Sequence, residues 1–238
     1  MGKRVAIITG ASGGLGSVVT PMFAESGYAV SAVALDWPAG SEHGWHTQTA
    51  DLTSPAAAEE VTRRARDTVG AIDCLVHLVG AFEGGDRVDE TADDVWDRML
   101  AVNLRAAVNM VRAVVPGMRA SGGGRIVAVG STSATEPVVT WSAFCAAVAG
   151  LCSFVQVAAA ELRDDGITIN AVLPTTIDTP IVRHYCGDAD APRWVQPRAI
   201  GELMLWLCSD AGRDVTGALI PMQGRQPHPC RDWHGETD

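Results

Sequence analysis

A single doubly wound α/β domain of the Rossmann type, with a mostly parallel central sheet and helices on both faces, is the architecture this sequence predicts. Three observations carry that expectation. The chain has 238 residues, enough for one large α/β core and too few for a second of similar size. Short β-branched runs alternate with longer helical stretches almost to the end, which is how strands joined by crossover helices read. A cluster of glycines lies between the first apolar run and the first helical pattern.

In chain order, residues 5–9 read as a strand and residues 15–26 as a helix, with Gly27 where a C-cap falls. Residues 29–34 form the next strand. A helix is expected over 54–69, opened by Thr53 and Ser54, with Pro55 in the first turn and Glu59 and Glu60 near the positive end. Residues 74–78 read as a buried strand, and 93–119 as a long amphipathic helix stopped by Gly122, Gly123 and Gly124. The pattern continues with a strand over 125–129, a helix over 142–163, a strand over 168–172, a helix over 201–209 and a strand over 218–222. Residues 174 to about 198, rich in proline, read as an irregular connection of the kind that covers a substrate. Residues 230–238 read as a loose tail.

Composition narrows the function classes. Hydrophobic residues make up 47% and charged residues 19%, as in a compact globular protein. The net charge is −10 and no basic run exceeds a pair, so a nucleic-acid partner is not expected, because phosphate neutralisation needs a clustered basic face. The apolar run at residues 5–8 is too short for a signal-peptide core. The longest apolar stretch, 143–160, carries Ser153 and Gln156 and ends at Glu161, so it reads as a buried helix and no membrane partner is expected. The six cysteines lie apart without a CxxC pair, which suggests free thiols in a reducing cytoplasm and no metal site.

Thr9, Gly10, Ala11, Ser12, Gly13, Gly14, Leu15 and Gly16 join the first strand to the first helix. Glycine lets a backbone turn sharply and approach a pyrophosphate closely, and the helix that follows offers unpaired N–H groups to that anion. Asp36 ends the second strand, 20 residues after Gly16, where an acid accepts the ribose 2′-hydroxyl and repels a 2′-phosphate. Gly13, Gly14 and Trp37 supply no positive charge, so NAD(H) is expected in preference to NADP(H).

These residues resemble the short-chain dehydrogenase/reductase family over nearly the whole chain. Thr9, Gly10, Gly14 and Gly16 match its glycine pattern. Asp51 and Leu52 are similar to its adenine-contacting pair after the third strand, and Asn103 to the helix asparagine that supports its active site. Ser131, after Gly124-Arg125-Ile126-Val127, resembles its catalytic serine. Ile169 to Pro174, then Thr179, resemble its nicotinamide-side strand and loop, Gly80 closes the fourth-strand segment, and Thr216, Gly217 and Gly224 fit its closing strand. The resemblance implies a homodimer or homotetramer through the helices over 93–119 and 142–163, whose surplus apolar residues suggest helix–helix association.

The pattern breaks where the chemistry lies. The family's proton donor and its helper are a Tyr-x-x-x-Lys pair on one helix face. Here Phe144 and Val148 stand at those positions, in a frame set by Ser131 13 residues earlier, and neither carries a hydroxyl or a charge. The family's Asn-Asn-Ala-Gly has become His77-Leu78-Val79-Gly80, and its Pro-Gly has become Pro174-Thr175. A substitute acid is therefore needed for efficient carbonyl reduction. Ser131, Thr132, Ser133, Ser142, Cys145, His184 and Tyr185 are the candidates, with Tyr185 in the substrate segment preferred; Tyr28 sits on the wrong side of the fold. His77 reads as a packing or hydrogen-bonding group near the cofactor. Ser131, at the C-terminal end of a central strand, is placed to hydrogen-bond a carbonyl oxygen.

Three functional classes follow. The first is an NAD(P)(H)-binding oxidoreductase that acts on a small carbonyl or alcohol by a non-standard proton route. The second is a non-redox biosynthetic catalyst, such as a dehydratase or cyclase. The third is a non-catalytic dinucleotide-binding protein. The retained cofactor motifs favour the first.

Overall fold

The computed structural model describes residues 2–39 and 44–225. The expected tail at 230–238 lies outside the described residues. Seven parallel strands form one sheet: β1 (Val5–Thr9), β2 (Ala29–Ala34), β3 (His46–Thr49), β4 (Cys74–His77), β5 (Gly124–Val129), β6 (Ile167–Pro174) and β7 (Leu219–Met222). Their spatial order is β3-β2-β1-β4-β5-β6-β7. The chain thus runs outward one way from β1, returns, and runs outward the other way from β4. The crevice between β1 and β4 is the switch point where open α/β sheets bind ligands.

Helices cover both faces because both faces are apolar. Ile7, Leu75, Ile126 and Ile169 pack in a core with α2 (Pro55–Val69), α4 (Ala106–Ala120) and α5 (Ser142–Glu161). Their strand neighbours Ile8, Val76, Val127 and Val172 pack in a second core with α1 (Gly16–Glu25) and α7 (Pro197–Cys208). Adjacent strand residues face opposite sides, so strands buried on both faces read as continuous hydrophobic runs. The apolar helix α5 is part of that packing: its own Leu151, Val155 and Ala158 form its buried face.

Four expectations need correction. The strand β3, which the hydrophobic pattern did not give and only the family resemblance implied before Asp51, is polar (His46, Thr47, Gln48, Thr49). It is held by its register with β2 and by Gln48, whose amide donates to Ser31 Oγ at 3.0 Å and to the Val61 carbonyl at 2.9 Å. The long helix is not uniform: α3 (Asp93–Leu100) runs through a π turn (Ala101–Arg105) before α4. The segment expected to be irregular folds a short helix, α6 (Pro180–Cys186), and a single 3₁₀ turn (Ala191–Arg193). The helix expected from residue 201 begins at Pro197. Both α6 and α7 open with a proline at the first helical position, where the missing N–H costs nothing.

Candidate active site

A cavity of about 540 Å³ opens at the C-terminal ends of β1, β4, β5 and β6. Gly10, Gly13, Gly14, Leu15 and Gly16 form one wall. Gly10 has a φ of +69°, and a Cβ there would lie 2.8 Å from the Leu78 backbone carbon. A Cβ on Gly16 would lie 2.1 Å from the Gly10 carbonyl oxygen. The loop is therefore wound too tightly for a side chain at Gly10 or Gly16, and the Gly13 N–H donates to the Gly10 carbonyl across it at 3.1 Å. It leads directly into α1, which begins at Gly16, so the free N–H end of that helix faces the cavity wall. A bare-backbone cradle beside a helix N-terminus fits a pyrophosphate.

The segment after β4 supplies Leu78, Val79, Gly80, Ala81 and Phe82 to the lining. Asn103 holds it in place. This buried side chain sits in the π turn, accepts from the Ala81 N–H at 3.1 Å and donates to the Met99 carbonyl at 3.1 Å. A one-residue widening of a helix is a recurrent way to aim a side chain into a site. Here it aims the carboxamide at the adjoining loop and the cavity.

Gly130 and Ser131 follow β5, and Phe144 and Val148 project from α5 into the same cavity. Phe144 thus faces the cavity with a ring that has no hydroxyl, one helical turn from the buried aliphatic Val148. Ser131 Oγ accepts from the Ser133 N–H at 3.1 Å and donates to Ser133 Oγ at 3.1 Å. Opposite lie Pro174, Thr175, Thr176, Thr179 and the α6 residues Ile181, Val182, Tyr185 and Cys186. Thr179 packs on the glycine loop: a Cβ on Gly14 would lie 2.8 Å from the Thr179 Cβ. Asp178 receives Arg183 Nε at 2.6 Å and Nη2 at 2.9 Å, which ties α6 to its base.

The structure therefore brings Ser131, Asn103, Tyr185, Phe144, Val148, Gly10, Gly13, Gly14, Leu15, Gly16, Gly80, Pro174 and Thr179 to one cavity. Ser12, Asp36, Asp51 and Leu52 do not line it. Ser12 is half-buried in the glycine loop. Asp36 is exposed just beyond β2, in a turn that Trp37 anchors by donating to the Gln48 carbonyl at 3.1 Å. Asp51 is exposed and its Oδ1 accepts from the N–H and hydroxyl of Thr53. The Leu52 side chain is in the core, and the carbonyls of Leu52 and Thr53 each accept from Asn109 Nδ2 at 3.0 Å.

Among the other candidate acids, Thr132, Ser133, Ser142, Cys145 and His184 do not line the cavity. His184 is exposed and stacks edge-on against Tyr185, with centroids 5.1 Å apart. His77 is buried in the sheet, its Nδ1 2.9 Å from Thr9 Oγ1, and Nε2 has no hydrogen-bond partner among the described residues. Burial pushes its pKa down to about 4, so its imidazole is neutral. It packs and bonds within the sheet.

Two aromatic residues of the site were not read from the sequence. Phe82 and Trp141 line the cavity beside Phe144. Their rings form one edge-to-face cluster, with centroids 4.4 Å apart for Phe82–Trp141, 5.1 Å for Phe82–Phe144 and 6.2 Å for Trp141–Phe144. Only the nearby glycines 84 and 85 hinted at a close approach, because the rings lie on loops that no periodicity places.

Residues 4–188 match the family model described as short chain dehydrogenase, and the chain belongs to that family. A short chain dehydrogenase, adrF, of Penicillium rubens is 30% identical, over 92% of this chain and 94% of the relative. A D-beta-hydroxybutyrate dehydrogenase of Cupriavidus necator is 28% identical, over 93% and 96%. A crystal structure of a 3-ketoacyl-(acyl-carrier-protein) reductase from Brucella melitensis, complexed with NADH, has the same fold. Its TM-score is 0.86 at 24% identity, covering 95% of this chain and 99% of that one.

Proposed function

We propose that this chain is an NAD(H)-linked oxidoreductase of a small carbonyl or alcohol whose proton route runs through Tyr185. The carrying observation is that Tyr185, Ser131 and Phe144 line the same cavity as the glycine loop; the reading takes Phe144 as standing where the family's donor would be. The glycine cradle and α1 N-terminus would hold the pyrophosphate of the dinucleotide, and Asp36 would receive its ribose 2′-hydroxyl. The Brucella neighbour binds NADH, and the Cupriavidus relative is a dehydrogenase, which supports the reading. When bound, the dinucleotide supplies or accepts the hydride.

The chain's own residues do the rest. Ser131 Oγ donates to the substrate carbonyl oxygen, with Ser133 as its alternative partner. The Tyr185 hydroxyl gives its proton to the oxygen as the alcohol forms, and takes it back in the reverse direction. Asn103 keeps the loop after β4 in position. The same reading takes the protein as a cytoplasmic homo-oligomer, associating through the α3–α4 and α5 surfaces, where Leu100 and Val157 remain exposed. No nucleic-acid or membrane partner enters it.

The test begins with a titration by NADH and NADPH, following energy transfer from tryptophan to bound nicotinamide. NADH is expected to bind the more tightly. Turnover of a carbonyl panel follows, with Tyr185→Phe and Ser131→Ala. Loss of a general acid is worth about a hundred- to ten-thousand-fold, so Tyr185→Phe should lower kcat by at least about a hundredfold without changing NADH affinity. Unchanged rates in Tyr185→Phe would remove Tyr185 from the reaction, and failure of both nucleotides to bind would remove the oxidoreductase reading. The apolar Phe144 and Val148 favour one second reading, a non-redox catalyst, which product formed without change in nicotinamide absorbance would support.

A further inference from the structure

We infer that the molecule this cavity selects is uncharged and largely hydrocarbon, with a ring that lies against the wall made by Phe82, Trp141 and Phe144. The inference rests on the reading of the cavity as the reaction site and specifies its substrate class. Among the described residues that line it, none is Asp, Glu, Lys, Arg or His. The charged groups nearby are already paired with each other: Glu83 with Arg98, and Asp178 with Arg183. The N–H groups of the glycine loop are the anion-binding feature of this lining, and with the dinucleotide bound they would face its pyrophosphate. A carboxylate beside the aromatic wall would then lose its water without gaining a counter-charge.

The wall opposite the glycine loop is apolar and held in place. Phe82, Trp141 and Phe144 contact one another edge-to-face, an arrangement that fixes ring planes. Trp141 Cδ1 sits where a side chain on Gly84 would begin, 2.8 Å from the Cβ position. Thr140 is the one non-glycine residue with positive φ, at 70°, among the described residues. A β-branched residue in that region is strained, and the strain is sustained only where the surroundings demand it. Its carbonyl accepts from the Gly85 N–H at 2.9 Å, which joins the loop after β4 to the start of α5 and seats Trp141 against Phe82. Ile181, Val182 and Val148 complete the apolar lining. The polar side chains that remain are hydroxyls, the Asn103 carboxamide, the Trp141 indole and the Cys186 thiol, all uncharged groups that can orient a carbonyl or hydroxyl. A preformed apolar cleft with a few convergent polar groups binds by shape and burial.

The experiment is isothermal titration of the full chain, with and without saturating NADH, using three probes of similar size: 2-decalone, decahydro-2-naphthoate and decahydro-2-naphthylammonium. Decalone should bind at least about tenfold tighter than either ion, a difference of about 1.4 kcal/mol. Trp141→Ala should weaken decalone by a similar factor, and Trp141→Phe should restore most of it. Ile181→Lys, at a half-exposed position that can accept the change without disturbing the core, should bring the carboxylate up to or above decalone. Equal or tighter binding of the carboxylate or the ammonium by the unmodified chain saturated with NADH would overturn the inference. So would indifference of decalone to both Trp141→Ala and Ile181→Lys. Binding needs no turnover: decalone bound without hydride transfer would leave the ligand class standing and count against the redox reading, whereas turnover confined to charged substrates would do the reverse.

Discussion

The two walls of the cavity were built under different rules. The wall formed by the β1–α1 loop is backbone: its glycines are required by contacts of 2.1 to 2.8 Å that a Cβ would make, and their chemistry is that of N–H groups at a helix end. The wall formed by α5, α6 and the loop after β4 is side chain and includes Phe144 and Val148, which the proposed reading puts where the family has a proton donor and its cation. Backbone geometry leaves little freedom at Gly10 and Gly16, where a Cβ would meet backbone atoms at 2.8 and 2.1 Å. A side-chain wall can be replaced ring by ring while the fold is kept. The difference teaches that the two halves change under different constraints: the cradle points to a dinucleotide, and the proton route has to be read from the side-chain wall.

Restoring the second wall is the strongest way to break this contrast. In a Tyr185→Phe background, Phe144→Tyr combined with Val148→Lys should raise carbonyl reduction by about a hundred- to ten-thousand-fold, the range of a positioned acid. Beside a working Tyr185 the gain should be small. Steady-state kinetics on a neutral ketone would show it, and an equally large gain in the unmodified chain would mean that Tyr185 supplies no proton. Disturbing the first wall comes next. Gly14→Val forces a side chain against Thr179, so NADH affinity should fall by at least about a hundredfold, or about 2.7 kcal/mol, in a fluorescence titration with the far-ultraviolet circular dichroism unchanged. Retained affinity would show that α6 yields and that the cradle is less rigid than its contacts indicate.

His77 tests whether the sheet beneath the cofactor wall has been edited too. Its pKa lies at about 4 when folded against 6.5 as an ordinary histidine, so the unfolded chain binds the proton first. Stability is therefore fully present above about pH 6.5 and falls as pH drops toward 4, by up to about 3 kcal/mol. Thermal denaturation across that window should show the fall, and His77→Asn should flatten it. A slope that persists in the variant would assign the effect to other groups. The smallest effect is expected at the junction of the walls. Asn103→Ala frees the Ala81 N–H and the Met99 carbonyl, costing about 1–3 kcal/mol of stability, with kcat lowered more than NADH affinity. Equal losses in both would make Asn103 a structural group only.

The sequence by itself determined most of the elements in their order, the parallel sheet and the glycine loop, and its family resemblance set Phe144 and Val148 at the expected donor positions. Each of these is local: period-2 and period-3.6 hydrophobic patterns, a glycine cluster between a strand and a helix, and a residue spacing counted from Ser131 to Phe144. What it did not show was carried by contacts between distant segments. The polar strand β3 exists because β2 and Gln48 hold it, α6 forms where prolines suggested disorder of pattern, and the π turn aims Asn103 at Ala81. The aromatic wall is the fullest case, because Phe82 and Trp141 are 59 residues apart in sequence and meet only through the Gly85–Thr140 hydrogen bond and the space left by Gly84. Local pattern is written in neighbouring residues and can be read from them; the surface of a cavity is set by packing across the fold, which only the tertiary structure decides.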